Sequence, residues 1–260
     1  MSLKNMLSAA ALAVALLSAP AALAMEQAEQ VKLLATIDDR QRNGGDYKAM
    51  VYMEQKEKGK ADLVYELVVY RRDADDKLMM LFTKPKTEAG KGYLRLDKNL
   101  WNYDPNVGRW ERRTERERIA GTDSRRADFD ESRLAEEYDP SYEGEAKLGK
   151  YTAHLLTLKV KPGVDVAYPV LKVWVDKASG NILKQEQYAL SGRKMRTALY
   201  PRWKKMFSES KKDDVWMPEE MRIYDEIEKG NSTTILVKTV DLRPLEANLF
   251  TKAWLESKSR

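Results

Sequence analysis

Apolar positions change their period once, close to residue 45. Before it, Val31, Leu34, Ala35 and Asp38 follow one another at three- and four-residue spacing, with Leu33 and Ile37 beside them. That is helical periodicity. It predicts a short amphipathic helix over residues 25–42, ended by Gly44-Gly45. After it the period is two. Tyr47, Ala49, Val51 and Met53 alternate with Lys48, Met50, Tyr52 and Glu54, and residues 63–70 and 78–82 continue as strands. Turn-forming stretches separate the runs: Lys58-Gly59-Lys60, Asp73-Ala74-Asp75-Asp76, Asp97-Lys98-Asn99 and residues 104–108. The second half repeats the style over residues 155–160, 170–176, 182–190, 195–203, 221–227 and 233–240. Its turns are residues 177–181 and Lys229-Gly230-Asn231. Pro244, the pair Leu249-Phe250 and a short helix around 253–256 close the chain. The pattern predicts a mainly β (α+β) protein with roughly ten or eleven strands in a meandering antiparallel sheet large enough to curl.

Several strands are apolar on both faces. Leu78, Met79, Met80, Leu81 and Phe82 form an unbroken example. An antiparallel strand exposed on one side alternates cleanly. The sheet is therefore expected to carry core or helix on one face and a second apolar space on the other. A central strand between two packed layers gives the same pattern.

One region breaks the β rhythm. Residues 109–126 hold seven Arg and four acidic residues, and residues 128–143 hold seven acidic residues and one Arg. Asp128, with Glu131 three residues on, has the form of a capping box. Leu134 and Tyr138 would then share one face of a short helix ending before Pro140. The region near 113–140 reads as a loop and helix folded over one mouth of the sheet, or as a solvated connector.

Composition adds a compartment. Lys4, an apolar run over residues 6–17 and the small-x-small site Ala22-Leu23-Ala24 occur in the order of a secretory signal. The run is shorter than the roughly 20 residues of a membrane span. The expectation is a signal peptide over 1–24 and a periplasmic mature chain, one domain over 25–260. An N-terminal core helix is the alternative. Cysteine is absent, which excludes disulfides, thiolate catalysis and lipid attachment at a mature N-terminal Cys. The net charge of +5 comes from interleaved acidic and basic residues, so it does not point to nucleic acid.

Motifs for catalysis are missing. His154 is the only histidine, so no zinc site of His and Cys can be assembled. There is no Gly-x-Ser-x-Gly elbow, no phosphate-cradling glycine loop, and no closing Glu after the Asp73 to Asp76 turn to make a calcium loop. No cofactor, no metal and no enzyme activity are expected.

Short motifs then carry a resemblance. Leu100-Trp101-Asn102-Tyr103-Asp104-Pro105 follows a strand ending in Arg71-Arg72 and the run Phe82-Thr83-Lys84-Pro85. Asp128-Phe129-x-x-Ser132 comes next, then Lys172-Val173-Trp174-Val175-Asp176-Lys177-x-x-Gly180. In this order, over roughly residues 31–250, the chain resembles the outer-membrane lipoprotein-sorting (LolA-like) family. The resemblance implies an unclosed antiparallel half-barrel with helices forming a lid over an apolar cavity for acyl chains. It implies a carrier or chaperone of lipid or lipoprotein between inner and outer membrane. Members of the broader family associate with inner-membrane exporters of the resistance–nodulation–division (RND) type, which makes such an exporter a candidate partner, with transient membrane contact. The charged region 109–143 departs from the lid of the carrier itself.

The candidate cavity residues are Leu67, Val69, Met80, Phe82, Trp101, Tyr103, Trp110 and Trp174, with Phe129 and Leu134 from the lid. Aromatic and Met side chains are large or adaptable enough to hold acyl chains reversibly, and they would serve equally as ordinary sheet core. Arg71 and Arg72 match the place of a functional Arg near the carrier's cavity mouth, or end a solvated hairpin. Two other functions stay open: an adaptor or sensor that binds lipid and an inner-membrane partner, and a hydrolase using carboxylates such as Asp128 and Asp130.

Overall fold

The computed structural model describes residues 25–42, 44–96, 99–114, 117–129 and 132–259. The expected signal peptide, residues 1–24, lies outside the described residues.

The helix α1 (Gln27–Arg42) forms where the apolar period predicts it. Its buried residues are Gln30, Leu34, Ile37 and Asp38, while Val31 is exposed. Among the described residues thirteen strands follow. In chain order they are β1 (Asp46–Lys56), β2 (Leu63–Arg72), β3 (Lys77–Lys84), β4 (Gly92–Leu96), β5 (Asn99–Asp104), β6 (Arg109–Arg113), β7 (Tyr138–Leu148), β8 (Tyr151–Val160), β9 (Val170–Asp176), β10 (Ile182–Tyr188), β11 (Lys194–Ser208), β12 (Asp213–Asp225) and β13 (Ser232–Asp241). A short helix α2 (Leu134–Glu137) precedes β7, and α3 (Lys252–Lys258) ends the chain.

All thirteen strands belong to one sheet in the order β6-β5-β4-β3-β2-β1-β13-β12-β11-β10-β9-β8-β7. Each strand pairs antiparallel with its neighbours. The first and last strands meet in the middle, and β6 and β7 are the two unpaired edges. The chain therefore passes from one edge of the sheet to the other between residues 113 and 138, and this crossing segment lies on the same face as α1. That face is called inner here.

The count of ten or eleven strands is corrected to thirteen among the described residues. The polar edge strands explain much of the shortfall. β6 reads Arg-Trp-Glu-Arg-Arg, and β7 carries Pro140 and charges along its length. Edge strands tolerate Pro and use charge to resist further pairing, so neither shows an apolar run. The helix expected to follow Asp128 and end before Pro140 is also different. α2 has one turn, and Tyr138 already begins β7.

The two-faced pattern of β3 has a physical explanation. Leu78, Met80 and Phe82 point inward, into a core with Ala49, Val51, Met53, Leu67, Val69 and Ile119. Met79 and Leu81 point outward, beneath Leu249, Phe250 and Leu255 of the C-terminal segment. The second apolar layer is thus a cover formed by the chain's own end. Gly92 makes room for it: a Cβ there would sit 2.6 Å from the Met80 carbonyl and 2.7 Å from a Leu255 methyl. On the other half of the sheet, α1 packs Leu34 and Ile37 against Leu156, Leu158, Leu171, Val173 and Val175. The outer face there is charged, with ladders such as Lys184–Glu186–Lys194–Glu226.

Candidate functional site

The inner face of β1 to β4 is an apolar surface set by register. Leu67 pairs with Phe82, Val69 with Met80, and Arg71 with Leu78. Met80 in turn pairs with Tyr93. These side chains do not face solvent. Ile119 of the crossing segment is fully buried among them, with Ala120 and Phe129 partly buried beside it.

Polar groups hold the segment in place. Ala120 N donates to the Tyr93 hydroxyl at 3.0 Å, and the Tyr65 hydroxyl donates to Ala120 O at 3.3 Å. Gln55 Nε2 donates to Gly121 O, and Asp123 N donates to Thr233 Oγ1. Further along, Arg71 and Arg95 both donate to the carbonyl of Phe129, at 3.2 and 2.9 Å. Both guanidiniums also share Asp76, and Arg71 pairs with Asp73 at 2.6 Å. The Arg196 guanidinium grips both oxygens of Asp128, at 2.7 and 2.5 Å. Last, Asp38 of α1 accepts from Leu134 N, Ala135 N and the Ser132 hydroxyl, which caps α2 from a neighbouring helix. Asp128 accepts from Arg125 N in a local turn; Glu131, the other member of the expected capping box, lies outside the described residues.

Beside this strap, a cleft of about 200 Å³ opens between α1, the crossing segment and β1, β3, β10, β11 and β12. Its apolar lining includes Ile37, Leu78, Phe129, Ile182 and Met221. Its aromatic lining is Tyr47, Tyr200, Trp203 and Trp216, with Asn181 among them. Burial pushes the Tyr47 hydroxyl up to about 12, and it does the same to Tyr200, helped by the negative charge of Asp128. Arg40, Arg71, Asp73 and Asp128 supply the charged part of the wall. Among the described residues, no group of three or more His, Cys, Asp or Glu side chains is placed to hold a metal ion.

The sequence-based candidates separate into two groups. Leu67, Val69, Met80 and Phe82 come together on the inner face, with Phe129 packed against them. Arg71 is buried there at the strap. Leu134 packs on the neighbouring core under α1. Trp101, Tyr103 and Trp110 lie on the opposite face. Trp101 pairs with Leu94 and Tyr103 with Trp110, and this set packs under the C-terminal cover. The Lys252 ammonium sits over both Trp101 and Trp110, and Trp110 Nε1 donates to Glu256. Trp174 alternates with the inward Val173 and Val175, so it too points outward, under Lys184. Arg72 points outward to Asp46 and the Leu245 carbonyl. These five cannot share a cavity with the inner set. A one-residue step along a strand reverses the face, and composition alone does not say which face a Trp takes. His154 contacts Tyr142 at the β7–β8 pair, and burial lowers its pKa. Asp128 spends both oxygens on Arg196, and Asp130 lies outside the described residues.

Several residues of the site escaped the sequence reading. Asn181 was hidden in a turn. Arg196 and Arg95 are charges at inward strand positions, and Asp38 lies on the apolar stripe of α1. A charge on an apolar face was the available signal, because burial demands a partner for it.

Among the described residues no helix is long and apolar enough to cross a membrane. A family model, described only as that of an uncharacterized protein, matches residues 74–257. Solved structures match over most of the chain. A DUF1329 family protein from Desulfovibrio piger superposes with a TM-score of 0.76 at 19% identity, covering 88% of this chain and 98% of its own. A domain assigned as an outer membrane lipoprotein-sorting protein from Vibrio parahaemolyticus gives 0.75 at 21%, covering 89% and 100%. A LolA superfamily protein from Nitrosomonas europaea gives 0.69 at 20%, covering 86% and 98%. At these identities the likeness establishes a shared fold. No protein of curated function matches the sequence.

Proposed function

Because this chain belongs to the family whose model spans residues 74–257 and folds as LolA superfamily proteins do, we propose that it is a periplasmic carrier of lipid or lipoprotein acyl chains. On this reading residues 1–24 direct export, residues 25–260 form one carrier domain, and the stretch 113–140 is its lid. The cargo lies along Leu67, Val69, Met80 and Phe82, with Phe129 above them and Leu134 at the lid's far end.

One observation carries the reading: an apolar inner surface is covered by a segment that is fastened mostly by polar contacts. Acyl chains are worth about 0.8 kcal/mol per CH₂, so a 16-carbon chain brings roughly 12 kcal/mol of transfer energy. The strap's side of the exchange is of comparable size and is mostly polar. Ile119 contributes about 1.5–3 kcal/mol of burial, and each hydrogen bond contributes about 0.5–1.5 kcal/mol net, because water replaces it on release. The cleft of about 200 Å³ is below the roughly 300–1,000 Å³ of ordinary ligand pockets. A whole acyl chain therefore enters only as the strap leaves. The carrier works by binding and release, and the reading assigns no catalytic residue.

The test is native mass spectrometry of protein from the periplasm, with organic extraction of whatever is bound, alongside titration with a fluorescent fatty acyl probe. Bound acylated species and saturable probe binding are expected. A bare mass in repeated preparations together with no probe binding would overturn the carrier reading. Stable capture of an inner-membrane protein by that bare form would favour an adaptor.

A further inference from the structure

The cleft beside the strap holds polar groups that the carrier reading leaves unused. Asn181 is 5% exposed, and its Nδ2 has no acceptor. The Tyr47 and Tyr200 hydroxyls line the same cleft, and neither has a hydrogen-bond partner among the described residues. A buried donor without an acceptor costs about 1–3 kcal/mol, and Asn181 Nδ2, with the hydroxyls of the half-buried Tyr47 and Tyr200 on the same wall, points to an oxygen-bearing ligand.

Charge narrows the class. Arg71, the buried cation in the wall, is matched by Asp73 and Asp76. Asp128 is matched by Arg196 behind it. Arg40 stands at the exposed rim, donating to the Ser179 carbonyl. Arg40 has no carboxylate partner among the described residues, but it is exposed at the rim, where water screens its charge; in the buried part of the cleft there is no spare positive charge, and two carboxylates, Asp73 and Asp128, form part of the wall. A carboxylate or phosphate placed there would lose its hydration without gaining a counter-ion, which is costly. A neutral carbonyl oxygen needs only the N–H and O–H donors that are present.

We propose that this cleft seats the uncharged ester or amide carbonyl of an acyl ligand, with Asn181 Nδ2 and the Tyr47 and Tyr200 hydroxyls as donors. The proposal rests on the carrier reading and adds a selectivity to it. The tail runs from the cleft onto Leu78 and the inner face, and an ester- or amide-linked chain is taken in preference to a free fatty acid.

Three probes of one chain length separate the possibilities: a fluorescent polyene fatty acid, its methyl ester and the corresponding hydrocarbon. Each is titrated at pH 7.5 into the full mature chain. The methyl ester is expected to bind about tenfold more tightly than the free acid, the size of two neutral hydrogen bonds set against an unpaired charge. Asn181→Leu, which keeps the side chain's bulk, should weaken the ester about fivefold and leave the hydrocarbon unchanged, the loss expected for one hydrogen bond. Tyr200→Phe provides the same test where Asn181→Leu fails to fold, as judged by circular dichroism. Free acid binding as well as ester, with both variants unchanged, overturns the carbonyl seat and leaves the carrier reading standing. No binding of any of the three probes overturns both.

Discussion

Two segments of this chain cover the same sheet, one on each face, and they are fastened in different ways. The C-terminal cover on the outer face buries Leu249, Phe250 and Leu255 against Tyr70, Met79 and Leu94. Its polar contacts lie at the margins, at Arg72–Asp46 with Leu245 and at Trp110 with Glu256. Among its described residues, the strap on the inner face buries one apolar side chain completely, Ile119, with Ala120 and Phe129 partly buried beside it, and is fastened mainly by hydrogen bonds and ion pairs. Apolar burial has no substitute in water, whereas a hydrogen bond does. The cover is therefore built to stay. The strap is built to be exchanged for something more apolar than itself.

Removing single fastenings sharpens the contrast. The largest effect is expected at Arg196. Arg196→Met leaves Asp128 buried without its partner, and loss of one member of a buried pair costs about 3–5 kcal/mol. Replacing both, as Arg196→Met with Asp128→Leu, should cost much less than the single change, and urea titration measures both. A double variant as unstable as the single one would mean that the pair does more than neutralise itself. On the cover, Leu255→Ala should cost about 2–5 kcal/mol through a cavity next to Gly92. Acyl-probe affinity should stay unchanged. Weakened probe binding in that variant would contradict the separation of the two faces.

The smallest effect is in acid. Burial pushes the Asp123 carboxyl in the strap up, against the pull of Arg118 and the Thr233 hydroxyl. The folded chain holds this proton to a higher pH than the unfolded chain does. Its contribution to stability is therefore lost as pH rises through the folded value and regained on acidification towards the unfolded value near 3.9. Asp123→Asn should remove this dependence and leave the chain slightly more stable at pH 7. Urea midpoints at pH 7 and pH 5 decide the matter. An Asp123→Asn chain that is less stable at pH 7 would show that the ion pair with Arg118 outweighs burial.

Much of the fold could be read from residue periodicity. α1 begins and ends where its apolar spacing and Gly44-Gly45 say, and the inward alternation of Tyr47, Ala49, Val51 and Met53 holds in β1. The doubly apolar β3 signalled apolar contact on each face, and the outer face holds a packed layer, the alternative reading, in place of a second apolar space. The identity of the outer layer was not legible, because Leu249, Phe250 and Leu255 contact strands more than 140 residues earlier in the chain. Both edge strands were missed for the reason that makes them edges: Arg109 to Arg113 and the Pro140 strand carry charge where a central strand carries Val or Ile. The candidate site was half legible. Apolar strand residues fell on the inner face together, while Trp101, Tyr103, Trp110 and Trp174 fell on the outer one. Aromatic character marks burial, and it is strand register that chooses the side.

The central claim is that the strap gives way to acyl cargo while the cover does not. Hydrogen exchange by mass spectrometry, with and without a saturating fatty acyl methyl ester, tests this directly. The account predicts that peptides spanning residues 117–129 lose protection when the ligand binds, while peptides spanning 249–258 keep theirs. Ligand binding that leaves 117–129 as protected as before, or that loosens 249–258 instead, would contradict it.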